Sequence, residues 1–413
     1  MSAPQCAPPC APDFQSLPIE LIQTIAYHTH VLSPADVLSL ALASHTTHGL
    51  LLGPLNAPNA FDQAQHRALA GVVFCIMRRW WDAACLAIGR GYGSIHPSHL
   101  GHPLGLAAGA GSLRVVEALV KGGADPAWAG SNDPLFLACE NGHTPVVEYL
   151  LQDERVDPVA QTEDNTDVLQ MAAGMGHTRV VQKLLLDGRV DPTRDDAFAL
   201  CIAAEEGFVE IVRLLIADGR VDPAAYSNYV LRVAARMGQA SVVRLLLACD
   251  NVDPCAANSE AVRTSSTNGY AEALKVLLDD GRADPRAVGS EALRLAARNG
   301  KVAVVELLLE DGRADVCAAD NYALIESAKK GHVDVVRALL RDPRVLGGDD
   351  DTMVTARVVR EAADHRRVDV LELLLVEFAL AVSPNLITYC LIAARNREHD
   401  DVEHLLLSLP SPT

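Results

Sequence analysis

Aromatic residues are scarce in this chain of 413 residues, making up 4% of it, although hydrophobic residues as a whole reach 49%. A large core is therefore possible, but it must consist mainly of Leu, Val, Ile and Ala, which is typical of closely packed helices. The length suits two or three domains or one long repeat array. Excess positive charge is missing too, because the formal net charge is −18. Since general binders of nucleic acid or anionic membranes are basic, we expect neither partner.

Long apolar runs and closely paired cysteines are also absent. The longest apolar candidate, LLLVEFALAV near the C-terminus, is interrupted by Glu377 and falls short of the roughly 18 residues of a membrane span. Residues 1–13 are rich in proline where a secretory signal would be apolar, so we expect a disordered tail. The ten cysteines form no CxxC pair, which favours reduced thiols in the cytoplasm or nucleus and predicts no metal site or cofactor.

What the sequence does contain is an internal repeat that one glycine marks. The interval between successive repeat glycines is 31 residues, except for one interval of 34. A fixed period in this range predicts a solenoid, in which each repeat packs only on its neighbours. The repeat glycines are Gly111, Gly142, Gly176, Gly207, Gly238, Gly269, Gly300 and Gly331.

Each repeat has the pattern of two helices joined at the repeat glycine. Pairs of small residues such as Ala203–Ala204 precede the glycine and permit close helix packing, and the glycine itself suits a left-handed turn. The apolar residues of VEIVRLLIA at 209–217 predict a second helix buried on more than one side, and Pro223 ends the repeat. Caps of the first helices are predicted at Ser131–Asn132, Asp196, Ser227–Asn228, Asn258–Ser259, Ser290 and Asp320–Asn321, while Pro103 and Pro134 suit a first helical turn.

The repeats resemble ankyrin repeats. HPLGLAAGAGSLRVVEALVKGGADP at 102–126 and DPLFLACENGHTPVVEYLL at 133–151 match the family's pattern of first helix, glycine and second helix. The resemblance implies an all-α, ankyrin-type helix-turn-helix solenoid of about ten repeats over residues 98–413. The last two repeats are irregular, with Arg366 and Arg397 in place of the glycine. Residues 54–97 are interpreted as a linker and a degenerate first repeat.

Residues 14–53 follow a different pattern, with the sequences LPIELIQTIA and DVLSLALAS separated by a short gap. Two helices are predicted, and their apolar residues exceed what a small hairpin buries, which favours a partner surface. The stretch resembles an F-box, whose helical hairpin docks on a Skp-type adaptor of a cullin–RING ubiquitin ligase. Alternatively, this hairpin is only an N-terminal cap of the solenoid. The resemblance assigns adaptor binding to Leu17, Pro18, Ile19, Leu21, Ile25, Leu38 and Leu40.

One side of the first helices carries positive charge in this acidic chain. Ankyrin-type arrays usually bind partners on the concave side, and residues six and two positions before the repeat glycine should face it. Their charges predict binding of an acidic or phosphorylated segment of a target protein. Alternatively, they pair with neighbouring acids such as Glu260 and Glu291. We call this set the basic stripe: Arg232, Arg236, Arg263, Arg294, Arg298 and Lys329.

Other recurrent polar residues are predicted to hold the fold together. His143, His177 and His332 each follow a repeat glycine and are too far apart to share a metal. The aspartates of the DGR and VDP sequences recur in the same way, and Asp before Pro suits a turn. No nucleophile, base and orienting group are found together, so no catalytic residue is assigned. The sequence thus predicts a substrate-recognition adaptor of a Skp–cullin–F-box ubiquitin ligase or, alternatively, an ankyrin scaffold without a ubiquitin link.

Overall fold

A computed structural model shows an all-helical repeat architecture. Every regular element in the described part of the chain is a helix, which confirms the predicted all-α solenoid. None of these described helices has the length and apolar character needed to cross a membrane. The F-box-like residues 14–53, the predicted tail at 1–13 and most of 54–97 lie outside the described residues. The structure describes residues 76, 79, 81–88, 103–127, 133–159, 166–345, 351–378, 380 and 382–408.

The helices belong to two compact bodies that divide between Asp191 and Pro192. In each body, first and second helices of the repeats alternate along the chain, and equivalent helices of neighbouring repeats pack side by side. The N-terminal body contains α1 Trp81–Ala87, α2 Pro103–Gly109, α3 Leu113–Lys121, α4 Pro134–Glu140, α5 Thr144–Leu151, α6 Val168–Gly174 and α7 Thr178–Asp187.

The C-terminal body continues the alternation with longer first helices. In its penultimate repeat the second helix, Val368–Glu372, is followed directly by a π-helical segment, Leu373–Glu377. The body contains α8 Arg194–Glu206, α9 Val209–Ala217, α10 Ala225–Arg236, α11 Ala240–Leu247, α12 Ala256–Asn268, α13 Ala271–Asp279, α14 Ala287–Arg298, α15 Val302–Asp311, α16 Ala318–Lys330, α17 Val333–Arg341, α18 Asp351–Asp364, α19 Val368–Glu372, α20 Pro384–Asn396 and α21 Asp400–Ser408.

The core lies between the paired helices of each repeat. The small residues Ala203 and Ala204, which precede a repeat glycine, are fully buried, so the two helices approach closely. On the second helix, Ile211, Val212 and Leu215 are also fully buried. Because equivalent residues are buried in the neighbouring repeats, small and branched side chains form a continuous core within each body.

Two constraints require glycine at the turn between the helices. The φ angle is +70° at Gly300 and +81° at Gly207, in a region that disfavours side chains. A side chain of the next repeat also covers this turn, because a Cβ atom on Gly300 would lie 2.8 Å from the ring of His332. Any substitution would therefore strain the backbone and displace a neighbouring side chain.

The last two repeats replace this glycine in different ways. Arg366 adopts a positive φ of +55°, at the position that the sequence predicts. In the final repeat, Glu398 has the positive φ, +58°, whereas Arg397 has a φ of −106°. The register of this repeat is therefore one residue later than the sequence predicts, because no glycine marks it there.

The first helices of the N-terminal body begin conventionally. Asp133 Oδ1 accepts a 2.8 Å hydrogen bond from the Leu135 amide, one residue after the predicted cap at Ser131–Asn132. Pro134 lies in the first turn of α4 and Pro103 opens α2, as predicted. These helices therefore start without a special turn.

Five first helices of the C-terminal body begin with a turn of three left-handed residues, where the sequence predicts simple caps. In three of these five turns the last residue bonds to the next repeat. Asn228 Oδ1 accepts a 2.9 Å hydrogen bond from the Asp253 amide, Ser259 Oγ accepts one of 3.4 Å from the Asp284 amide, and Ser290 Oγ accepts one of 2.8 Å from the Asp315 amide. The predicted cap residues thus join repeats to one another. The turns are 195–197, 226–228, 257–259, 288–290 and 319–321.

Candidate protein-interaction surface

Arginines in four of the loops that end the repeats fasten the loop to the preceding repeat; three belong to DGR sequences and Arg344 to an equivalent DPR sequence. Arg313 donates hydrogen bonds to the carbonyl oxygens of Leu278 at 3.3 Å and Ala283 at 2.8 Å, and pairs with Asp311 at 2.7 Å. A guanidinium group suits this position because it donates in several directions at once. We call this set the arginine clips: Arg189, Arg282, Arg313 and Arg344.

The clips also stabilise the charged form of their aspartates. Hydrogen bonds from Arg344 hold the pKa of Asp342 below its ordinary value, and those from Arg189 lower the pKa of Asp187. Both aspartates are mostly buried beside their arginines, with 9% and 15% of the side chain exposed. The prediction that the DGR aspartates hold the fold together is therefore confirmed.

The three histidines that follow repeat glycines are structural, as predicted. Each ring lies within hydrogen-bond distance of a backbone carbonyl oxygen of the preceding repeat. Among the described residues, no three His, Cys, Asp or Glu side chains come together as a metal-binding group. The Nε2-to-oxygen distances are 3.0 Å from His143 to Gly109, 2.8 Å from His177 to Glu140 and 3.0 Å from His332 to Arg298.

Two members of the basic stripe are bound internally. Arg232 Nε donates to a carboxylate oxygen of Glu260 in the next repeat at 2.8 Å, and Arg263 pairs in the same way with Glu291. The four side chains are only 20% to 29% exposed. The alternative interpretation, in which neighbouring acids neutralise the stripe, therefore describes these two arginines.

Arg294 is bound to the turn that precedes its own helix. Its guanidinium group donates to the carbonyl oxygens of Val288 and Gly289, both at 2.9 Å, and lies 5.5 Å from the ring centroid of Tyr322. Arg232 donates to the equivalent turn of its repeat at 3.3 Å. We call Arg232, Arg263 and Arg294 the inner arginines, because their donors stabilise the left-handed turns.

The remaining members of the basic stripe lie two positions before the repeat glycine and are called the outer cations. Arg236 and Arg298 are exposed, and neither guanidinium group has a hydrogen-bond or ion-pair partner among the described residues. Lys329 lies 3.7 Å from Glu326, which is three residues earlier on the same helix. The structure thus divides the predicted stripe into a bound set and a set that faces solvent.

Two further exposed arginines continue this surface into the next repeat. Arg357 and Arg360 on α18 lie nine and six positions before Arg366, which takes the place of the repeat glycine. In the described part of the chain neither side chain meets a hydrogen-bond or ion-pair partner. They do not follow the 31-residue period, because the insertion at 345–354 shifts this repeat. Their positions in the repeat become clear when residues are counted back from Arg366.

Apolar side chains are exposed at both ends of the same row of first helices. Nine residues before the turn position, Phe198 is 47% exposed and Tyr229 is 39% exposed. In the final repeat, Tyr389 and Ile392 are 48% and 54% exposed, nine and six residues before Glu398. Aromatic residues and arginine are enriched at the centres of protein interfaces, so this mixture fits a protein partner.

One known family matches these repeats. The family described as ankyrin repeats (3 copies) matches residues 104–196, 169–258 and 259–349, which together span more than half of the chain. The chain therefore belongs to the ankyrin-repeat family. The crystal structure of the human ASB11 ankyrin repeat domain is similar, with 24% sequence identity and a TM-score of 0.43 over 50% of this chain and 96% of that chain. No curated protein sequence matches the chain significantly.

The predicted adaptor-binding residues are not among those described. All seven, from Leu17 to Leu40, lie before residue 76, where the description begins. The ankyrin family match begins at residue 104, so it does not include them either. Their role stays a prediction from the sequence.

Proposed function

We propose that this protein is a target-binding receptor of a Skp–cullin ubiquitin ligase, in which the ankyrin repeats hold the target and residues 14–53 dock on the adaptor. The observation that carries target binding is the row of exposed cations, including Arg236 and Arg298, in a chain of net charge −18. The ankyrin-repeat fold is typically a non-enzymatic scaffold for protein–protein interaction. Cations without internal partners on such a scaffold are available to a partner.

A receptor of this kind requires no catalytic residue of its own. Its contribution is proximity, because it holds a target lysine close to the enzyme that carries activated ubiquitin. Support for the ligase half comes from LPIELIQTIA and DVLSLALAS in the sequence, whose apolar residues would form the adaptor contact. The two halves of the proposal are therefore tested separately.

The alternative function is an ankyrin scaffold with no ubiquitin link. In that case residues 14–53 serve only as the N-terminal cap of the repeats, and the first helices still bind a protein partner. The two functions differ in one measurable property, which is affinity for a Skp-type adaptor.

The ligase half is tested by binding of the purified full-length chain to a Skp-type adaptor in calorimetry. We expect binding by the wild type and its loss in a Leu17→Asp, Pro18→Ala double variant, because a buried charge and a lost helix start disrupt the contact. A matched Gln15→Ala, Ser16→Ala variant, which changes the neighbouring polar residues, should bind normally. Circular dichroism must show folded repeats in both variants. No binding by the wild type would leave the ankyrin scaffold as the function.

A further inference from the structure

The inner arginines and the outer cations differ in what a partner can use. Arg232 and Arg263 already face carboxylates of the next repeat, and Arg294 is held by two carbonyl oxygens. A ligand that recruited any of them would have to break these contacts and leave their present partners without donors. The inner arginines are therefore occupied by the fold.

Two of the outer cations, Arg236 and Arg298, and the arginines of α18 have no such contacts, whereas Lys329 lies beside Glu326. Arg236, Arg298, Arg357 and Arg360 are exposed, and none has a hydrogen-bond or ion-pair partner among the described residues. A carboxylate that reached them would gain charge-assisted hydrogen bonds without breaking one in the protein. Within this row, positive charge therefore remains in excess after the internal pairs are removed.

The period of the repeats sets the spacing that a ligand must match. First helices of neighbouring repeats pack side by side from α10 to α18, and packed helices lie about 9 Å apart. An extended chain rises about 3.3 Å per residue, so one repeat corresponds to about three residues of ligand. Four such steps join the helix of Arg236 to that of Arg360, which corresponds to about 36 Å and about 11 residues.

We propose that the target segment is an extended, carboxylate-rich stretch of protein that lies across the first helices. Its acidic residues face Arg236, Arg298 and the pair Arg357 and Arg360, which lie two repeats apart and so correspond to ligand positions about six residues apart. The inference rests on the proposed function, since it names the partner of the same surface. It goes further in assigning contact to four particular arginines and in assigning a structural role to the inner arginines.

The proposal is tested by fluorescence anisotropy of the full-length chain with labelled peptides of about 15 residues. One peptide carries Glu at every third position among Ser and Gly, and a second has the same composition with its Glu residues in one block. A third has Gln in place of Glu, and a fourth has phosphoserine in place of Glu. We expect the spaced Glu peptide to bind at least about fivefold more tightly than the block and not to be surpassed by the phosphoserine peptide.

A charge-matched pair of variants locates the contact. The double variant Arg236→Glu, Arg298→Glu should lower the affinity for the spaced Glu peptide at least about tenfold, because two attractive charges become repulsive. The control is Arg244→Glu, Arg341→Glu, which changes two exposed arginines on second helices by the same charge and should weaken binding less than about twofold. If the glutamate variant does not fold, Arg236→Gln, Arg298→Gln should still weaken binding about fivefold.

Four outcomes would overturn the inference. They are equal loss in the two charge-matched variants, equal affinity for the spaced and blocked peptides, preference for the phosphoserine peptide, and tighter binding of single-stranded oligothymidylate than of any peptide. If the chain binds the Skp-type adaptor but fails these peptide tests, the ligase function stands and the target has a different chemistry. A chain that binds the spaced peptide but not the adaptor would retain this inference and lose the ligase half.

Discussion

The loop side and the first-helix side of the repeats both carry arginine at a fixed position, and the two sets differ in what they contact. On the loop side, Arg313 donates hydrogen bonds to carbonyl oxygens of the preceding repeat and pairs with Asp311. On the first-helix side, Arg298 is exposed, with its guanidinium group unbound by any described residue. Repetition alone therefore does not indicate a role, because both arginines belong to periodic sets.

Backbone geometry explains the difference. Helix ends and left-handed turns leave carbonyl oxygens without helical partners, and an arginine that starts nearby satisfies them. The arginine clips and the inner arginines both occupy such places. Arg298 also lies at a helix end, but the carbonyl oxygens there already have partners. Backbone amides of residues 299–301 bond to three of them, and the His332 ring lies 3.0 Å from the Arg298 oxygen. Loss of an arginine should therefore lower stability on one side and binding on the other.

The largest effect is expected at the turn that joins the two sides. Gly300→Ala should lower the free energy of unfolding by about 2–4 kcal/mol, because it combines a left-handed backbone with a clash. The new Cβ atom would lie 2.8 Å from the His332 ring, which is held by the preceding repeat. Urea unfolding followed by circular dichroism measures the change.

Gly312→Ala is the matched control for this substitution. Its φ of +76° is similar, but the added Cβ atom would meet no described atom within 4 Å. Only the backbone cost of about 1 kcal/mol should remain. Equal destabilisation by both variants would show that the contact with His332 contributes nothing.

The next largest effect on stability distinguishes the arginine clips from the outer cations. Arg313→Ala should lower the free energy of unfolding by about 1–3 kcal/mol, since it leaves carbonyl oxygens without donors and removes the side-chain donors, though not the backbone donor, to Asp311. Arg298→Ala should change it by less than about 0.5 kcal/mol, because the side chain is exposed and unbound by described residues. Urea unfolding of the two variants, beside binding of the spaced Glu peptide, checks both halves. The comparison fails if Arg298→Ala proves the more destabilising variant.

Acid should weaken the loop side of the repeats. The pKa of Asp342 is held low by Arg344, and the pKa values of Asp187 and Asp218 are lowered by hydrogen bonds from Arg189 and Arg220. Because the pKa is lower in the folded state, this stability is fully present above the unfolded value of about 3.9 and is lost as the pH falls through the folded value.

We therefore expect the urea midpoint to decrease as the pH falls below about 4. Asp342→Asn should lower the midpoint at neutral pH by the equivalent of about 1 kcal/mol and make the decrease shallower. Asp279→Asn, at an exposed aspartate without a hydrogen-bond partner in the described ranges, should leave the slope as it is in the wild type. An unchanged slope in Asp342→Asn would contradict a role for this clip.

The fold could be predicted from the sequence because the same pattern recurs in each repeat. One period governs the repeat glycines, the small pairs such as Ala203–Ala204 and the prolines at the ends of repeats. An error at a single position therefore does not change the predicted fold. The left-handed turns could not be predicted, because Ser227 and Asn228 are also good cap residues. At 226–228 the turn is accompanied by a contact with the next repeat, in which Asn228 Oδ1 accepts a hydrogen bond from the Asp253 amide, and the local sequence does not contain this information.

The candidate site was harder to predict than the fold. Residues six and two positions before the glycine were identified together, but only tertiary contacts show that Arg263 meets Glu291 whereas Arg236 has no partner among the described residues. Arg357 and Arg360 were missed because an insertion breaks the period. Position in the repeat predicts which way a side chain points, and the neighbouring repeat decides what it contacts.

The smallest expected effect converts an inner arginine into an outer one. Glu291→Gln removes the carboxylate that pairs with Arg263, so the guanidinium charge becomes available to a ligand. If one exposed ion pair contributes about 0.6 kcal/mol, affinity for the spaced Glu peptide should rise about threefold. Glu272→Gln is the charge-matched control at an exposed glutamate on α13, and anisotropy should show little gain there. An equal gain in both variants would mean that the peptide responds to net charge, whereas a gain confined to Glu291→Gln would show that internal pairing decides which arginines bind.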